Sequence, residues 1–406
     1  NPELHPVRIP GMSLHRLEAE LQQLESEDRL RRLLQLQGPQ APRITLEGRD
    51  WLAFCSNDYL GLANDARIVE ALQRGLHAMG AGAGASHLVT GHFAVHDQLE
   101  RSLAAFVGLP RALLFGTGYL ANLGLITALT GPDDVILSDA LNHASLIDGM
   151  RLSRARVERY AHADVNALRA ALQAAGGRER FVVTESIFSM DGDLAPLGQM
   201  LELCEQHDAW LVIDDAHGFG VLGREGRGVL QALGLHSDRI IYVGTLGKAA
   251  GISGAFVAGA HAVVETLLQK ARSYIYTTAM PPFLAAGLQQ SLDIIQAESW
   301  RRSQLQQLIA SLKQGLAGTA LRLLPSDSPI QPLLLGSNAS AMAASTRLRE
   351  QSLIVTAIRP PTVPAGTARL RLSLSALHQL EDVQCLVQAL RDLPSGLPQS
   401  SSLGTA

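Results

Sequence analysis

Between residues 51 and 290 the chain alternates short apolar, β-branched runs with amphipathic stretches of helical period, and this alternation leaves few folds open. The runs fall at 112–115, 135–138, 181–185, 210–214 and 240–245. Val212 and Ile213 follow one another with no polar residue between them, the pattern of a strand covered on both faces. Strands that alternate with helices read as a mostly parallel sheet with helices on either side. The expected fold class is therefore α/β, with residues 51–290 forming one large domain. Pro281-Pro282 breaks the pattern, and a long helical stretch follows over 283–316. An apolar run at 330–335, helical spacing over 339–351 and strand-like runs at 353–357 and 368–373 predict a smaller C-terminal α/β domain over 291–393. Residues 1–50 are expected to form an N-terminal helical segment, because Leu14, Leu17, Leu21, Leu24, Leu30, Leu33 and Leu34 recur at helical spacing over 13–37. The Ser/Gly/Pro-rich tail over 394–406 is expected to fray.

Charge and cysteine usage narrow the function classes. Lys+Arg minus Asp+Glu is 34 − 38 = −4 over 406 residues, which argues against a nucleic-acid or anionic-membrane surface. Cys55, Cys204 and Cys385 are scattered and odd in number, with neither metal spacing nor a disulfide framework, and this fits a reducing cytosol. No 18-residue apolar run and no signal-peptide pattern is evident, so a cytoplasmic protein without a membrane span or metal site is expected.

The chemistry-bearing residues cluster after the apolar runs. Only three lysines occur, and Lys270 and Lys313 lie in polar, helix-like stretches. Lys248 instead follows the run 240–245 among glycines and small residues. In a pocket of that kind desolvation disfavours the ammonium form, leaving an amine that attacks carbonyls; the alternative is a loop lysine that reaches water along its stem. Asp214, in Asp214-Asp215-Ala216-His217-Gly218, ends another run, and ligands of open α/β sheets sit beyond the carboxyl ends of the strands. It suits either a protonated ring nitrogen, with His217 beside the ring, or the N-cap of a helix. Gly116-Thr117-Gly118-Tyr119 follows the run 112–115 and opens a helix, a place where backbone amides approach an anion such as phosphate. Thr245 can add a hydroxyl to the same anion. His143, after the run 135–138, can stack on a planar ring, and Ser189 sits in a turn after the run 181–185; a purely structural role suits either residue equally. Together a phosphate cup, an aspartate, a stacking histidine and a pocketed lysine match what pyridoxal phosphate needs as an electron sink.

Four motifs carry a resemblance to a known family. Ser56-Asn57-Asp58-Tyr59-Leu60-Gly61-Leu62, Thr184-Glu185-Ser186-Ile187-Phe188-Ser189-Met190-Asp191-Gly192, Asp214-Asp215-Ala216-His217-Gly218 and Thr245-Leu246-Gly247-Lys248 resemble the signatures of the α-oxoamine synthases, fold-type I pyridoxal-phosphate enzymes. The likeness spans about residues 25–390. Within the family, the run from Ile358 to Arg371 and Ile275-Tyr276-Thr277-Thr278-Ala279-Met280-Pro281-Pro282 resemble members that make a biotin precursor from L-alanine and a pimeloyl thioester. The resemblance implies catalytic roles for Lys248, His143, Asp214 and His217. Lys248 matches the lysine to which the cofactor is attached, Asp214 the partner of its pyridine nitrogen and His217 the donor to its ring hydroxyl. His143 matches the stacking histidine, Ser189 a further cofactor contact, and Gly118 and Tyr119 the phosphate loop, with Thr245 nearby. Arg359 matches the arginine that grips the amino-acid carboxylate; Asn57, His143 and Thr362 match substrate contacts, and Arg31 a contact to the acyl substrate. Tyr119 stands where Phe is commoner, and Phe219 where many members have a small residue.

The implied reaction is a decarboxylative condensation. Lys248 would remove the α-proton of alanine, and the carbanion would attack the pimeloyl group carried on coenzyme A or an acyl carrier protein. A homodimer is implied by the resemblance. A sister enzyme that uses glycine and a short acyl-CoA, such as a glycine C-acetyltransferase or a 5-aminolevulinate synthase, is the competing expectation. A non-catalytic cofactor-binding relative would be expected to lack Lys248 or the carboxylate arginine, and both are present.

Overall fold

A computed structural model describes residues 14–27 and 29–394. A seven-stranded sheet lies at its centre, built from β1 (Arg111–Phe115), β2 (Val135–Asp139), β3 (Arg156–Tyr160), β4 (Arg180–Glu185), β5 (Trp210–Asp214), β6 (Ile240–Thr245) and β7 (Ala255–Gly259). The spatial order is β1-β7-β6-β5-β4-β2-β3. Neighbours pair in parallel from β6 across to β3, and only β7 runs antiparallel to its two partners. The strands are buried because they are apolar on both faces: Val212 belongs to the core on one side of the sheet and Ile213 to the core on the other. On the Ile213 side Phe219 meets Phe106 and Phe256 edge to face, at ring-centroid distances of 5.6 and 5.4 Å.

Two smaller sheets flank this unit. One is antiparallel and joins Arg322–Leu323, Ile330–Gly336, Ala368–Ser373 and Thr356–Ile358 in that order. The other joins Leu36–Gln37, Arg43–Leu46, Arg49–Ala53 and Leu353–Ile354, the last pair in parallel. The apolar run at 353–357 is thus two strands in two sheets. Leu52 and Ala53 pair with residues about 300 positions later.

The helical segment expected over 13–37 ends early. The helix covers only Leu14–Ser26 and buries none of its residues. Without a face to pack against, helical spacing alone does not carry the chain through Pro39. Leu33 is almost wholly exposed, and residues 36–53 form strands, so the first fifty residues are not uniformly helical. The helical pattern over 283–316 is two helices, Pro282–Ala297 and Ser299–Leu316, which meet at Glu298 with backbone angles of −107° and 68°. Strands β3 and β7 were not evident from the apolar pattern. β3 is a charged edge strand, and β7 (Ala-Phe-Val-Ala-Gly) is buried but made mostly of small residues. The expected tail beyond Pro394 lies outside the described residues. Among the described residues no helix is long and apolar enough to cross a membrane.

Candidate active site

The loops after β1, β2, β4, β5 and β6 all leave the sheet at its carboxyl edge and converge there. After β1, Thr117 caps the helix Gly118–Leu129 by accepting a hydrogen bond from the Leu120 amide at 3.2 Å. The first amides of that helix have no intrahelical partner and point outward as donors. A Cβ added at Gly118 would lie 3.6 Å from Thr245 Oγ1, so β6 brings Thr245 against the glycine turn, as expected. The exposed Tyr119 hydroxyl is bonded to Asp148.

After β2, His143 caps the helix Ala144–Ser153. Its Nδ1 accepts from the Ser145 amide at 3.2 Å and lies 2.8 Å from Ser145 Oγ, leaving the ring exposed. Asn122, one turn into the helix after β1, donates to Ser145 Oγ (2.9 Å) and to Asp214 Oδ2 (2.7 Å). Asp214 is buried, and its Oδ1 accepts from the Ala216 amide at 3.0 Å. The structure therefore joins His143 to Asp214 through Ser145 and Asn122.

Glu185 ends β4 opposite Asp214 in the sheet register and is 3% exposed. Burial, and then the neighbouring Asp214, pushes its carboxyl well above the usual range, so it is neutral near pH 7. Its Oε1 has no hydrogen-bond partner among the described residues, and neither has Asn122 Oδ1.

Lys248 Nζ lies 3.0 Å from His217 Nε2. Burial lowers the lysine pKa, opposed by the charges of Asp214 and Glu185. Burial also holds His217 well below its ordinary value, and the nearby Lys248 and Arg371 act in the same direction. His217 Nδ1 is 2.7 Å from the Tyr59 hydroxyl. Arg371, 6% exposed, donates from both Nη atoms to Asn57 Oδ1 (3.2 Å each) and from Nε to the Ser189 carbonyl (2.6 Å). Lys248, His217, Asn57 and Ser189 thus form one hydrogen-bonded cluster.

Arg31, Arg359 and Thr362 sit apart from that cluster. They line a cleft of about 950 Å³ between the N-terminal residues 21–34 and the C-terminal loop at 354–362. Cys55 lines the same cleft and is close enough to Arg371 to sense its charge. Tyr59, Asn122, Glu185 and Arg371 were not singled out from sequence. Arg369 and Arg371 alternate with apolar residues in the wholly buried strand Ala368–Ser373, and a charged residue there signals a buried partner. Arg369 is bonded to Asp191 and to the Met190 carbonyl (3.2 Å), fastening the turn that carries Ser189. A second histidine group, His87, His92 and His96, places ring nitrogens within 4.8 Å of one another. His96 Nδ1 already accepts from the Phe93 amide (3.0 Å), and His87 stacks on Tyr274 at 4.9 Å.

The main site suits a planar aromatic ring that carries a phosphate. It offers helix-end amides with Thr245 at one end and an exposed imidazole face at His143. Buried Asp214 lies between them, the orphaned oxygens of Glu185 and Asn122 lie beside it, and an amine of lowered pKa stands at Lys248.

Comparison with known proteins agrees. The family model for aminotransferase class I and II matches residues 49–390. The chain is 57% identical over 360 residues to 8-amino-7-oxononanoate synthase of Nitrosospira multiformis, covering 89% of this chain and 91% of that one. It is 56% identical over 382 residues to the synthase of the same name from Aromatoleum aromaticum, covering 94% and 99%. Among solved structures, serine palmitoyltransferase from S. paucimobilis with a bound PLP–myriocin aldimine superposes with a TM-score of 0.87 at 30% identity, covering 92% and 96%. The 8-amino-7-oxononanoate synthase of Francisella tularensis superposes with a TM-score of 0.74 at 31% identity, covering 84% and 97%. The chain therefore belongs to the class I and II aminotransferase family and, within it, to the 8-amino-7-oxononanoate synthases.

Proposed function

We propose that the chain condenses L-alanine with a pimeloyl thioester, carried on coenzyme A or an acyl carrier protein, to give 8-amino-7-oxononanoate, carbon dioxide and the free thiol. This is a step of biotin biosynthesis, and pyridoxal 5'-phosphate is its cofactor. The single observation that carries the reading is Lys248: a buried amine of lowered pKa, 3.0 Å from His217 and flanked by Asp214 and Glu185, at the carboxyl edge of a mostly parallel sheet. Relatives at 50–57% identity named 8-amino-7-oxononanoate synthase support the choice of substrates.

The first-turn amides at Gly118 and Tyr119, with Thr245, would hold the cofactor phosphate. His143 would lie against the ring face, Asp214 would pair with the ring nitrogen, and His217 and Ser189 would complete the contacts. When bound, pyridoxal phosphate supplies an electron sink for the pair left at the amino-acid α-carbon.

Lys248 does the proton work. Its lowered pKa leaves Nζ unprotonated often enough to take the α-proton of alanine. Arg359 grips the substrate carboxylate, with the two-pronged geometry that a guanidinium allows, and so sets which α-bond stands in line for cleavage. Asn57 and Thr362 contact the same substrate. Arg31 faces the acyl chain in the cleft that it shares with Arg359 and Thr362. The new C–C bond forms as the thioester C–S bond breaks and the thiol leaves. The carboxyl group then leaves as carbon dioxide, and Lys248 Nζ returns its proton to the α-carbon. The active form is a cytoplasmic homodimer.

Turnover with alanine against glycine tests the substrate class. Release of coenzyme A thiol from pimeloyl-CoA, dependent on alanine and accompanied by 8-amino-7-oxononanoate in the product mixture, is expected. Thiol release with glycine but not alanine would move the chain to a sister activity.

A further inference from the structure

Tyr59 is fully buried, and its hydroxyl stands midway in a chain of hydrogen bonds from Arg371 to Lys248. Arg371 Nη2 is 3.4 Å from Tyr59 Oη, and both Nη atoms are 3.2 Å from Asn57 Oδ1. Tyr59 Oη is 3.1 Å from Asn57 Oδ1 and 2.7 Å from His217 Nδ1. His217 Nε2 is 3.0 Å from Lys248 Nζ.

Counting donors gives the chain a direction. A guanidinium only donates, and an amide oxygen has two lone pairs. Arg371 supplies Asn57 Oδ1 with two N–H groups, so both of those lone pairs are taken. The one Tyr59 proton then goes to the shorter contact, His217 Nδ1. A neutral imidazole carries a single proton, so that proton sits on Nε2 and faces Lys248. His217 stays neutral because it is buried and its charged or basic neighbours are Lys248, Arg371 and His143. Lys248 faces Asp214, Glu185 and Arg371 in addition to His217.

We infer that Tyr59 is a positioning residue for the proposed reaction: oriented by Arg371, its hydroxyl sets the tautomer of His217 and so presents Nε2–H to Lys248. The inference rests on the reading of Lys248 as the base. The opposite tautomer would turn a lone pair on Nε2 toward Nζ. An ammonium donates to that lone pair more strongly than an amine does, so the charged form of Lys248 would gain. The free base would become scarcer at neutral pH. Each unit by which the lysine pKa rises lowers the free-base fraction about tenfold.

The decisive experiment is nitrogen NMR of the purified protein labelled with 15N-histidine, with cofactor loaded and after its removal, His217 being assigned by its loss in His217→Asn. In the wild-type chain Nδ1 is expected unprotonated and Nε2 protonated. In Tyr59→Phe, which keeps the buried ring, the pattern is expected to reverse. The acid limb of the kcat profile then moves up by about one pH unit, so that kcat at pH 7 falls about tenfold. KM for alanine changes little, because Arg371 keeps Asn57, Ser373 and the Ser189 carbonyl. A wild-type His217 protonated on Nδ1 overturns the inference, and that measurement does not depend on any variant folding. So does a folded Tyr59→Phe protein with the wild-type tautomer and pH profile. Full turnover by Lys248→Ala beside the expected tautomer would instead overturn the reading of the base and leave the tautomer assignment standing.

Discussion

Raising the pH through the range 6.5 to 10 should remove a block of stability that one histidine supplies. His162 lies between two carboxylates, its Nδ1 2.9 Å from Asp139 Oδ1 and its Nε2 2.8 Å from Asp193 Oδ2. The ring packs edge-on to Phe188 at 4.3 Å and is 25% exposed. Burial disfavours the imidazolium, but the two carboxylates outweigh it and push the pKa from 6.5 up to about 10. A folded-state pKa above the unfolded one means that the charged form stabilises the fold. That contribution is complete below about pH 6.5 and disappears as pH rises toward 10. The shift of about 10 − 6.5 = 3.5 units corresponds to a ceiling of about 5 kcal/mol, removed at about 1.4 kcal/mol per pH unit. Water at the exposed quarter of the ring brings the expected figure to roughly 2–4 kcal/mol. The perturbation is His162→Asn, and the assay is the urea midpoint of both proteins at half-unit steps from pH 6 to 9.5. Both aspartates are ionised in the unfolded chain across this range, so the difference between the two proteins isolates the histidine. The gap should be widest at pH 6 and should narrow steadily above pH 6.5. Two curves that run parallel across the range would refute the assignment of a charged His162.

Lys248→Ala should lower turnover by roughly a thousandfold or more, while the thermal midpoint stays within a few degrees of wild type. Near-normal product formation by that variant would remove Lys248 from the chemistry. Gly192→Ala should destabilise the chain by about 2 kcal/mol or more. The residue has φ +71°, and an added Cβ would lie 2.5 Å from the Ile330 carbonyl and 2.6 Å from Ser326 Oγ, where the Ser189 turn meets the C-terminal sheet. An unchanged denaturation midpoint would show that this junction yields easily.

The strands that carry the site were legible because they are buried on both faces. A continuous apolar run such as Ile240–Thr245, short and β-branched, is too brief for a helix and too apolar for a surface loop. Strands β3 and β7 were not legible, since a charged edge strand and an Ala/Gly strand lack that signal. The leucines over 14–34 gave a helical pattern whose second half no core supports. Lys248, Asp214, His143 and His217 stood out because each follows a strand in a polar or glycine-rich turn. Tyr59 and Arg371 did not. Tyr59 reads as one more apolar core residue, and its partner Arg371 is 312 positions away.

Taken alone, the sequence determined the α/β class, the alternation that forms a parallel sheet, and the residues that end its strands, because local hydrophobic period and turn chemistry are properties of neighbours along the chain. Only the tertiary structure decided which of those residues touch. It joined the N-terminal strands to Leu353–Ile354, and it set Glu185 beside Asp214 with its carboxyl neutral. It also ran one line of hydrogen bonds from Arg371 through Tyr59 and His217 to Lys248. Desolvation and hydrogen-bond direction depend on which groups face each other across the closed core, and no local pattern encodes that.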